Sequence, residues 1–270
     1  IPPLTIETTD FINRQKVLDK IVGGYKVDLE KATAKQALSL ASNSHVQSID
    51  LEDSSSNIST YWNQLIDINT QLDDIKISGA RVAITATQYE LGLEANIQDK
   101  ILAAAFPITF AIKNASIDQA LNLVADDAAS NFIGTLEIKD TGANIINNLD
   151  NLKELLAGPP SITTSLFQVD PRNVLDISYD DFVEFDSVFD AISGQAYKLT
   201  VSDASIAEAL NIVATSPTNP TLNYNNVSSI NILDSTNNIS SNINYLLAMG
   251  KKLGAINLTN ADITDNISLT

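Results

Sequence analysis

The side chains of this chain that could do chemistry are mostly carboxylates. Adjacent aspartates occur at Asp73-Asp74, Asp126-Asp127 and Asp180-Asp181. Two carboxylates on opposite sides of a cleft can hydrolyse a glycosidic bond. The spacing of these aspartates in the sequence does not indicate that any two of them face each other across a cleft. His45 is the only histidine, its neighbours are typical of a turn, and there is no cysteine. A hydrolase triad or a thiol nucleophile is therefore not indicated, and we expect no enzymatic activity and no catalytic residues.

A more regular pattern, Asp-[Ser/Thr]-x-x-Asn-Ile, occurs three times and begins at Asp53, Asp140 and Asp234. Aspartate and hydroxyl residues ahead of a helical segment are typical of N-caps, because their oxygens accept unpaired backbone N–H groups. We therefore predict that each of these aspartates caps a helix. Carboxylate and amide oxygens also bind Ca²⁺, so calcium stays a second interpretation, although the spacing is not that of an EF-hand loop. No other metal or cofactor is indicated.

The charge of the chain excludes two classes of partner. Its 33 acidic residues outnumber its 16 basic residues, which gives a net charge of -17. Nucleic acid and anionic membrane surfaces both need Lys and Arg to neutralise phosphate, so we expect neither as a partner. No apolar run approaches the ~18 residues that span a bilayer. Hydrophobic residues make up 44% of the sequence, which is enough for a substantial core.

The Asp-[Ser/Thr]-x-x-Asn-Ile motif belongs to a repeat that covers nearly the whole chain. Three blocks recur in the same order, and such internal similarity is typical of repeat architectures. The first block is a strand followed by a helix, the second carries the motif, and the third is a strand followed by an apolar helix. The blocks lie at residues 25–38, 108–121 and 197–210; at 48–58, 135–145 and 230–239; and at 4–21, 82–101 and 175–192.

Each repeat alternates strand and helix signals. In the third copy, residues 197–201 alternate like a strand, whereas Ile206, Ala209, Leu210 and Val213 have helical spacing. Strands separated by helices pair in parallel through right-handed crossovers. We therefore predict an α/β fold: a tandem-repeat, solenoid-like array with one continuous, mostly parallel sheet covered by helices. Three small globular domains on a string are the alternative, which the short connections between copies disfavour.

The repeat alignment also predicts boundaries and a core. The predicted units are a partial repeat at 1–24 that ends a unit, repeat 1 at 25–107, repeat 2 at 108–196, and repeat 3 at 197–270, which lacks its last helix. Equivalent apolar positions of the three copies should be buried together. They are Leu38, Leu121 and Leu210; Ile58, Ile145 and Ile239; and Phe11, Tyr89 and Phe182.

Residues 201–210, 234–246 and 252–259 carry a resemblance to a known class of sequence. They resemble repeats of very large bacterial secreted surface proteins, such as type I-secreted adhesins, surface-layer proteins and matrix-like repeat arrays. The resemblance implies an extracellular or cell-surface location in a bacterium. We expect a non-enzymatic structural repeat protein that self-assembles into a filament, surface layer or matrix. The alternative is a ligand-binding adhesin segment of a larger secreted protein, with a cell-surface glycan as a possible ligand.

The two ends of the chain carry complementary parts of the repeat. In the order of the blocks, Leu4–Ile21 is the strand and helix that would follow the 255–270 end. Exposed strand edges and apolar surface at the ends of a repeat array favour the addition of further copies. We therefore expect the chain to bind itself head to tail through Leu4–Ile21 and the 255–270 end. A piece cut from a longer repeat array would also begin and end at the same point of the repeat, and that alternative stays open.

Overall fold

The computed structural model describes residues 2–79, 81–101, 108–158, 162–168, 174–192, 197–214 and 226–259. The strands in these residues form three four-stranded sheets. The first contains β1 (Leu4–Glu7), β2 (Val27–Ala32), β3 (Val46–Ser54) and β4 (Leu72–Ser78). The second contains β5 (Arg81–Thr85), β6 (Thr109–Ala115), β7 (Ile133–Asp140) and β8 (Thr163–Gln168). The third contains β9 (Val174–Ser178), β10 (Lys198–Ala204), β11 (Val227–Asp234) and β12 (Leu253–Leu258).

Helices fill the connections between the strands. In the described residues they are α1 (Thr8–Leu18), α2 (Ala34–Leu40), α3 (Ser55–Asp67), α4 (Ala86–Glu94), α5 (Ile117–Ala125), α6 (Asp127–Ser130), α7 (Gly142–Asn147), α8 (Leu149–Leu156), α9 (Tyr179–Glu184), α10 (Asp186–Ala191), α11 (Ile206–Ala214), α12 (Thr236–Ser241) and α13 (Ile243–Met249). Short 3-10 turns lie at Gln98–Lys100 and Gly250–Lys252. Within the described ranges, no helix has the length and apolar character needed to cross a membrane.

Within each sheet the strands follow one another in chain order and pair in parallel. The prediction of an α/β fold with parallel strands covered by helices is confirmed. The prediction of one continuous sheet is wrong, because the strands lie in three sheets. A parallel neighbour needs a crossover of about a dozen residues, but only residues 79 and 80 separate β4 from β5. The chain therefore starts a new sheet at β5, and a solenoid-like arrangement of the repeats stays a prediction.

By their mutual contacts the residues form two compact units. One is Ile1–Glu137 with Pro160–Thr163, and the other is Ile138–Pro159 with Thr164–Thr270. The predicted repeat boundaries coincide with neither these units nor the sheets, since each sheet begins with the strand of the third sequence block. Those boundaries stay a prediction. Residues 107 and 196, at two of them, and residues 260–270 of the predicted docking end lie outside the described residues.

The first sequence block has the same backbone conformation in all three places. Lys31, Asn114 and Asp203 occupy equivalent positions near the end of the second strand of each sheet, with φ of 58°, 53° and 58°. This left-handed conformation is unfavourable for most residues other than glycine, asparagine and aspartate. It turns the strand toward the next helix, which a hydroxyl residue caps two positions later. These capping residues are Thr33, Ser116 and Ser205.

The core confirms two of the three predicted sets of equivalent residues. Phe11, Tyr89 and Phe182 are fully buried, as are Ile58, Ile145 and Ile239. The prediction that Leu38, Leu121 and Leu210 are core residues is wrong, because all three are only half-buried. The alanine before each leucine points into the core instead, since a small side chain lets the helix approach the sheet closely. These alanines are Ala37, Ala120 and Ala209.

Candidate functional site

The Asp-[Ser/Thr]-x-x-Asn-Ile motif lies at the same place in each sheet, where the third strand ends and a helix begins. The N-cap is the hydroxyl residue of the motif in every copy. The side-chain oxygens of Ser54, Thr141 and Ser235 accept the backbone N–H of Asn57, Asn144 and Asn238 at 3.2, 3.2 and 3.3 Å. The prediction that the aspartate itself caps the helix is therefore wrong by one residue, because each helix begins two residues after the aspartate and the hydroxyl residue lies directly before it.

The aspartate joins two helices. The Oδ1 atom of Asp53 accepts the backbone N–H of Ser54 and the side-chain amide of Asn57, both at 2.7 Å. Its Oδ2 atom accepts the backbone N–H of Ala34, the first residue of α2, at 2.9 Å. One carboxylate thus connects the N-termini of α2 and α3, where the helix dipoles favour a negative charge. We call this arrangement the aspartate clamp.

The aspartate clamp recurs in the third sheet with nearly the same distances. The Oδ1 atom of Asp234 accepts the backbone N–H of Ser235 and the side-chain amide of Asn238, both at 2.7 Å. Its Oδ2 atom accepts the backbone N–H of Ile206, the first residue of α11, at 3.1 Å. In the second sheet the Oδ1 atom of Asp140 accepts the corresponding donors at 2.8 and 2.7 Å.

The electrostatic environment of Asp234 favours its ionised carboxylate. Burial by itself raises the pKa of Asp234, but hydrogen bonds from Ile206, Asn238 and Ser235 lower it by more. The net result is a pKa below the ordinary value for aspartate. Because these hydrogen bonds exist only in the folded chain, ionised Asp234 contributes to stability at neutral pH.

The geometry of the clamp gives the calcium interpretation no support. At Asp53 and Asp234 both carboxylate oxygens point at N–H donors, and the positive ends of those donors repel a cation. Among the residues that the structure describes, no three side chains of His, Cys, Asp or Glu form a group that could hold a metal ion. The recurring side chains are therefore used in hydrogen bonds that hold helices in place.

The adjacent aspartates of the sequence lie on three different kinds of element. Asp73-Asp74 belongs to β4, Asp126-Asp127 lies at the junction of α5 and α6, and Asp180-Asp181 lies in the first turn of α9. Acidic residues in a first helical turn stabilise the positive end of the helix dipole. The three pairs therefore lie on separate elements of the fold.

His45 lies in the turn between α2 and β3, where the sequence predicts it. Its ring stacks on Tyr25 with centroids 4.1 Å apart and an interplanar angle of 6°. The Nδ1 atom lies 3.2 Å from the backbone carbonyl oxygen of Tyr25. A stacked imidazole that contacts a backbone carbonyl fixes the turn, and this geometry has none of the features of a catalytic triad.

The sequence analysis missed a group of carboxylates on the first sheet. A shallow cavity of about 210 Å³ there is lined by Glu30, Asp50, Glu52 and Asp74, together with two lysines. Partial burial raises the pKa of Asp50, and the neighbouring carboxylates raise it further. The signal was visible as the alternation of apolar and acidic residues in β2 and β3, which places the acids on one face. This concentration of negative charge attracts cationic groups.

No protein-family model and no curated protein matches this sequence. The resemblance to bacterial surface repeats therefore stays an expectation.

Proposed function

We propose that this chain is a non-enzymatic structural repeat protein of the bacterial cell surface or extracellular space. In this role it self-assembles into a filament, surface layer or matrix. The aspartate clamp is the observation that supports the proposal most. The side chains that recur in all three sheets, and that could in principle do chemistry, are directed at backbone and amide N–H groups. Recurrence of this kind favours an architectural role over a reaction site, which needs only one copy of its residues.

The high acidic charge is consistent with this role. A net charge of -17 keeps separated copies soluble, because they repel one another in dilute salt. Contacts that overcome this repulsion must be apolar or hydrogen-bonded and complementary in shape. Assembly should therefore be promoted by moderate salt, which screens the repulsion between copies.

The alternative function is a ligand-binding adhesin segment, and one feature favours it. The third sheet carries a row of hydroxyl and amide groups that resembles the polar chemistry of glycan recognition. Thr200 and Ser229 lie 2.8 Å apart through their hydroxyl oxygens, and Asn231 donates to Ser202 at 3.3 Å. These groups already bond to one another, which leaves fewer donors and acceptors for a sugar.

Electron microscopy of the purified chain separates the two functions. We expect ordered fibres or sheets to form as salt and protein concentration rise, and to persist in a chelator, because the clamp uses no cation. Dispersed particles under all conditions, together with retention on a glycan array, would contradict the structural proposal and favour the adhesin segment.

A further inference from the structure

The N-terminal segment formed by β1, α1 and Ile21 exposes apolar positions that its two internal equivalents bury. The equivalence follows from the third sequence block, which aligns this segment with residues 82–101 and 175–192. The exposed fractions are 42, 0 and 2% for Leu4, Val82 and Leu175, and 67, 1 and 0% for Val17, Ile97 and Val188. The same position is thus surface in one copy and core in the other two.

The contacts that bury the second of these three segments, residues 82–101, come from α3, the helix that follows the third strand of the first sheet. The backbone N–H of Ala83 in β5 donates to the hydroxyl oxygen of Ser59 in α3 at 3.0 Å. Trp62 of α3 donates from Nε1 to the carbonyl oxygen of Gln88 in α4 at 2.7 Å. The strand–helix pair β5–α4 therefore packs on the helix that precedes it, and β1–α1 is the first such pair of the described residues.

In the first two sheets, the outer edge of the last strand is covered by the end of the following segment. Ile101 forms a parallel bridge with Ile75 of β4, and Ile192 forms one with Leu166 of β8. Beside the first bridge, the Lys100 amino group donates to the carbonyl oxygens of Asn69 and Leu72 at 2.6 and 2.5 Å. In the sequence alignment Ile21 is equivalent to Ile101, and Lys20 is equivalent to Lys100.

Among the described residues, the last strand of the third sheet has an exposed edge, whereas the equivalent edges of the other two sheets are covered. Ile75 pairs with Leu51 in the first sheet, and Ile256 pairs with Ile232 in the third, so Ile256 is the counterpart of Ile75. Ile75 is 1% exposed, whereas Ile256 is 38% exposed. Two residues of the adjacent helix α13 are also exposed. They are Tyr245 and Leu247, at 58 and 69%.

We propose that the end formed by α12, α13 and β12 binds β1, α1 and Ile21 of a second copy of this chain. The contact reproduces between chains the junction that the chain makes twice within itself. Ile21 of one copy forms a parallel bridge with Ile256 of the other, and Lys20 donates to the carbonyl of Leu253, the counterpart of Leu72. This proposal rests on the proposed function, because it specifies how the self-assembling copies meet.

A second copy is the favoured occupant because both halves of the interface are on the same chain and in matching register. The surface that this contact would bury consists of the exposed edge of β12 and exposed apolar residues of α13. Such a surface binds a partner that presents a strand edge and apolar side chains in the matching order. The N-terminal segment presents such side chains at Leu4, Val17 and Ile21. The residues at the equivalent positions of the two internal segments make the corresponding contacts within the chain.

Crosslinking of single-cysteine variants tests the register. The chain has no cysteine of its own, so introduced thiols are the only reactive ones. A mixture of Ile21→Cys and Ile256→Cys, treated with a short bismaleimide, should give a crosslinked dimer, whereas either variant alone should give none. The Glu52→Cys/Lys76→Cys double variant is the positive control, because these two exposed side chains form an ion pair across adjacent strands and their replacements should crosslink within one chain. Absence of the mixed dimer under conditions where the control reacts and the chain sediments as an assembly would overturn the proposal.

A charge substitution tests the interface without a crosslinker. Val17→Asp should weaken association in sedimentation by roughly tenfold or more, because it places a charge in the apolar contact. Its melting temperature at low concentration should not change, since Val17 is exposed in the single chain. Val183→Asp is the matched control, because Val183 is an exposed valine on a helix of the third sheet, and its association should equal that of the unmodified chain. Equal weakening by both substitutions would overturn the specific interface.

The outcomes also separate this proposal from the proposed function. If microscopy finds fibres or sheets but the mixed cysteine variants give no dimer, this interface is wrong and the structural function stands. If no assembly forms under any condition, the structural function fails, and the interface fails with it.

Discussion

The junction between the first and second sheets and the junction between the second and third sheets are built on equivalent positions but are filled differently. At the first junction α3 is one continuous helix of 13 residues, and Trp62 is fully buried. The Trp62 ring meets the Phe110 ring edge-on at 5.5 Å, and Tyr89 meets Phe110 edge-on at 4.9 Å. A Cβ atom added to Gly92 would lie 2.6 Å from Cζ2 of Trp62, so glycine leaves space for the indole ring.

At the second junction the large and small residues have changed places. Leu149 stands at the position of Trp62, four residues after the motif isoleucine, and Phe185 stands at the position of Gly92. The helix that carries Leu149 is interrupted at Asn148, which separates α7 from α8. The corresponding helix of the first junction, α3, has no such interruption. Phe189 occupies the place of the buried amide Gln98, and the Tyr197 hydroxyl donates to the carbonyl of Phe189 at 2.8 Å.

The two junctions thus share the order of strands and helices and the hydrogen bonds of the motif, but their large side chains come from different positions. In one junction the large side chain comes from the preceding helix, and in the other the large side chains come from the following helices. Either distribution fills the same kind of space, because a core needs matched volume more than a particular residue at a particular position.

The largest effect should come from removing the bulk of the first junction. Trp62→Ala should lower the free energy of unfolding by about 3–5 kcal/mol, because it removes a buried aromatic ring and leaves a cavity. Urea denaturation followed by circular dichroism measures this change. Leu149→Ala should cost less, about 2–3 kcal/mol, because the deleted side chain is smaller. Tyr61→Ala, at a half-buried neighbour on α3, is the control, and an equal loss there would show that Trp62 has no special role.

An intermediate effect should come from filling the space that glycine leaves. Gly92→Ala should destabilise the chain by about 1–3 kcal/mol, because the added methyl group meets the indole ring. In a Trp62→Leu background the same change should be neutral or favourable, since alanine is the better helix former by about 1 kcal/mol. A double-mutant cycle in urea measures the coupling between the two positions. If the free-energy changes of the two substitutions were additive, the interpretation that Gly92 leaves space for the Trp62 ring would be contradicted.

The smallest effect should come from the aspartate clamp, which the junctions have in common. Asp53→Asn and Asp234→Asn should each lower the free energy of unfolding at pH 7 by about 1–2 kcal/mol, because an amide accepts fewer of the N–H donors. The pKa of Asp234 is lowered in the folded chain, so its contribution is present above about pH 4 and is lost as the pH falls through the folded pKa.

Thermal unfolding between pH 7 and pH 2.5 measures this dependence. The unmodified chain should lose stability as the pH falls, and Asp234→Asn should lose less over the same range because it has no proton to bind at that position. Asp203→Asn is the control, since Asp203 is exposed on β10 and its replacement should leave the pH profile unchanged. A profile unchanged by Asp234→Asn would contradict the ionised clamp.

Sequence reasoning identified the parts of the site but not their geometry. The recurrence of aspartate, hydroxyl and asparagine was enough to predict a turn into a helix at three places, and that turn is present. The second contact of the clamp, from Asp53 to Ala34, joins residues 19 positions apart. No local pattern predicts such a contact, because it depends on two strands lying side by side.

Three features of this protein could be predicted from the amino-acid sequence alone: the period of the repeat, the alternation of strands and helices, and the burial of isoleucine and aromatic residues at equivalent positions. These follow from local propensity and from the spacing of apolar residues, which act within a few turns of chain. Three other features became apparent only from the packing of the folded chain. The strands divide into three sheets, and alanine rather than leucine faces the core on α2, α5 and α11. The large residue Trp62 and the small residue Gly92 are replaced at the second junction by the smaller Leu149 and the larger Phe185. These features depend on close packing between helices and sheets. The volume available to each side chain is set by neighbours that are distant in the sequence, so local patterns do not predict it.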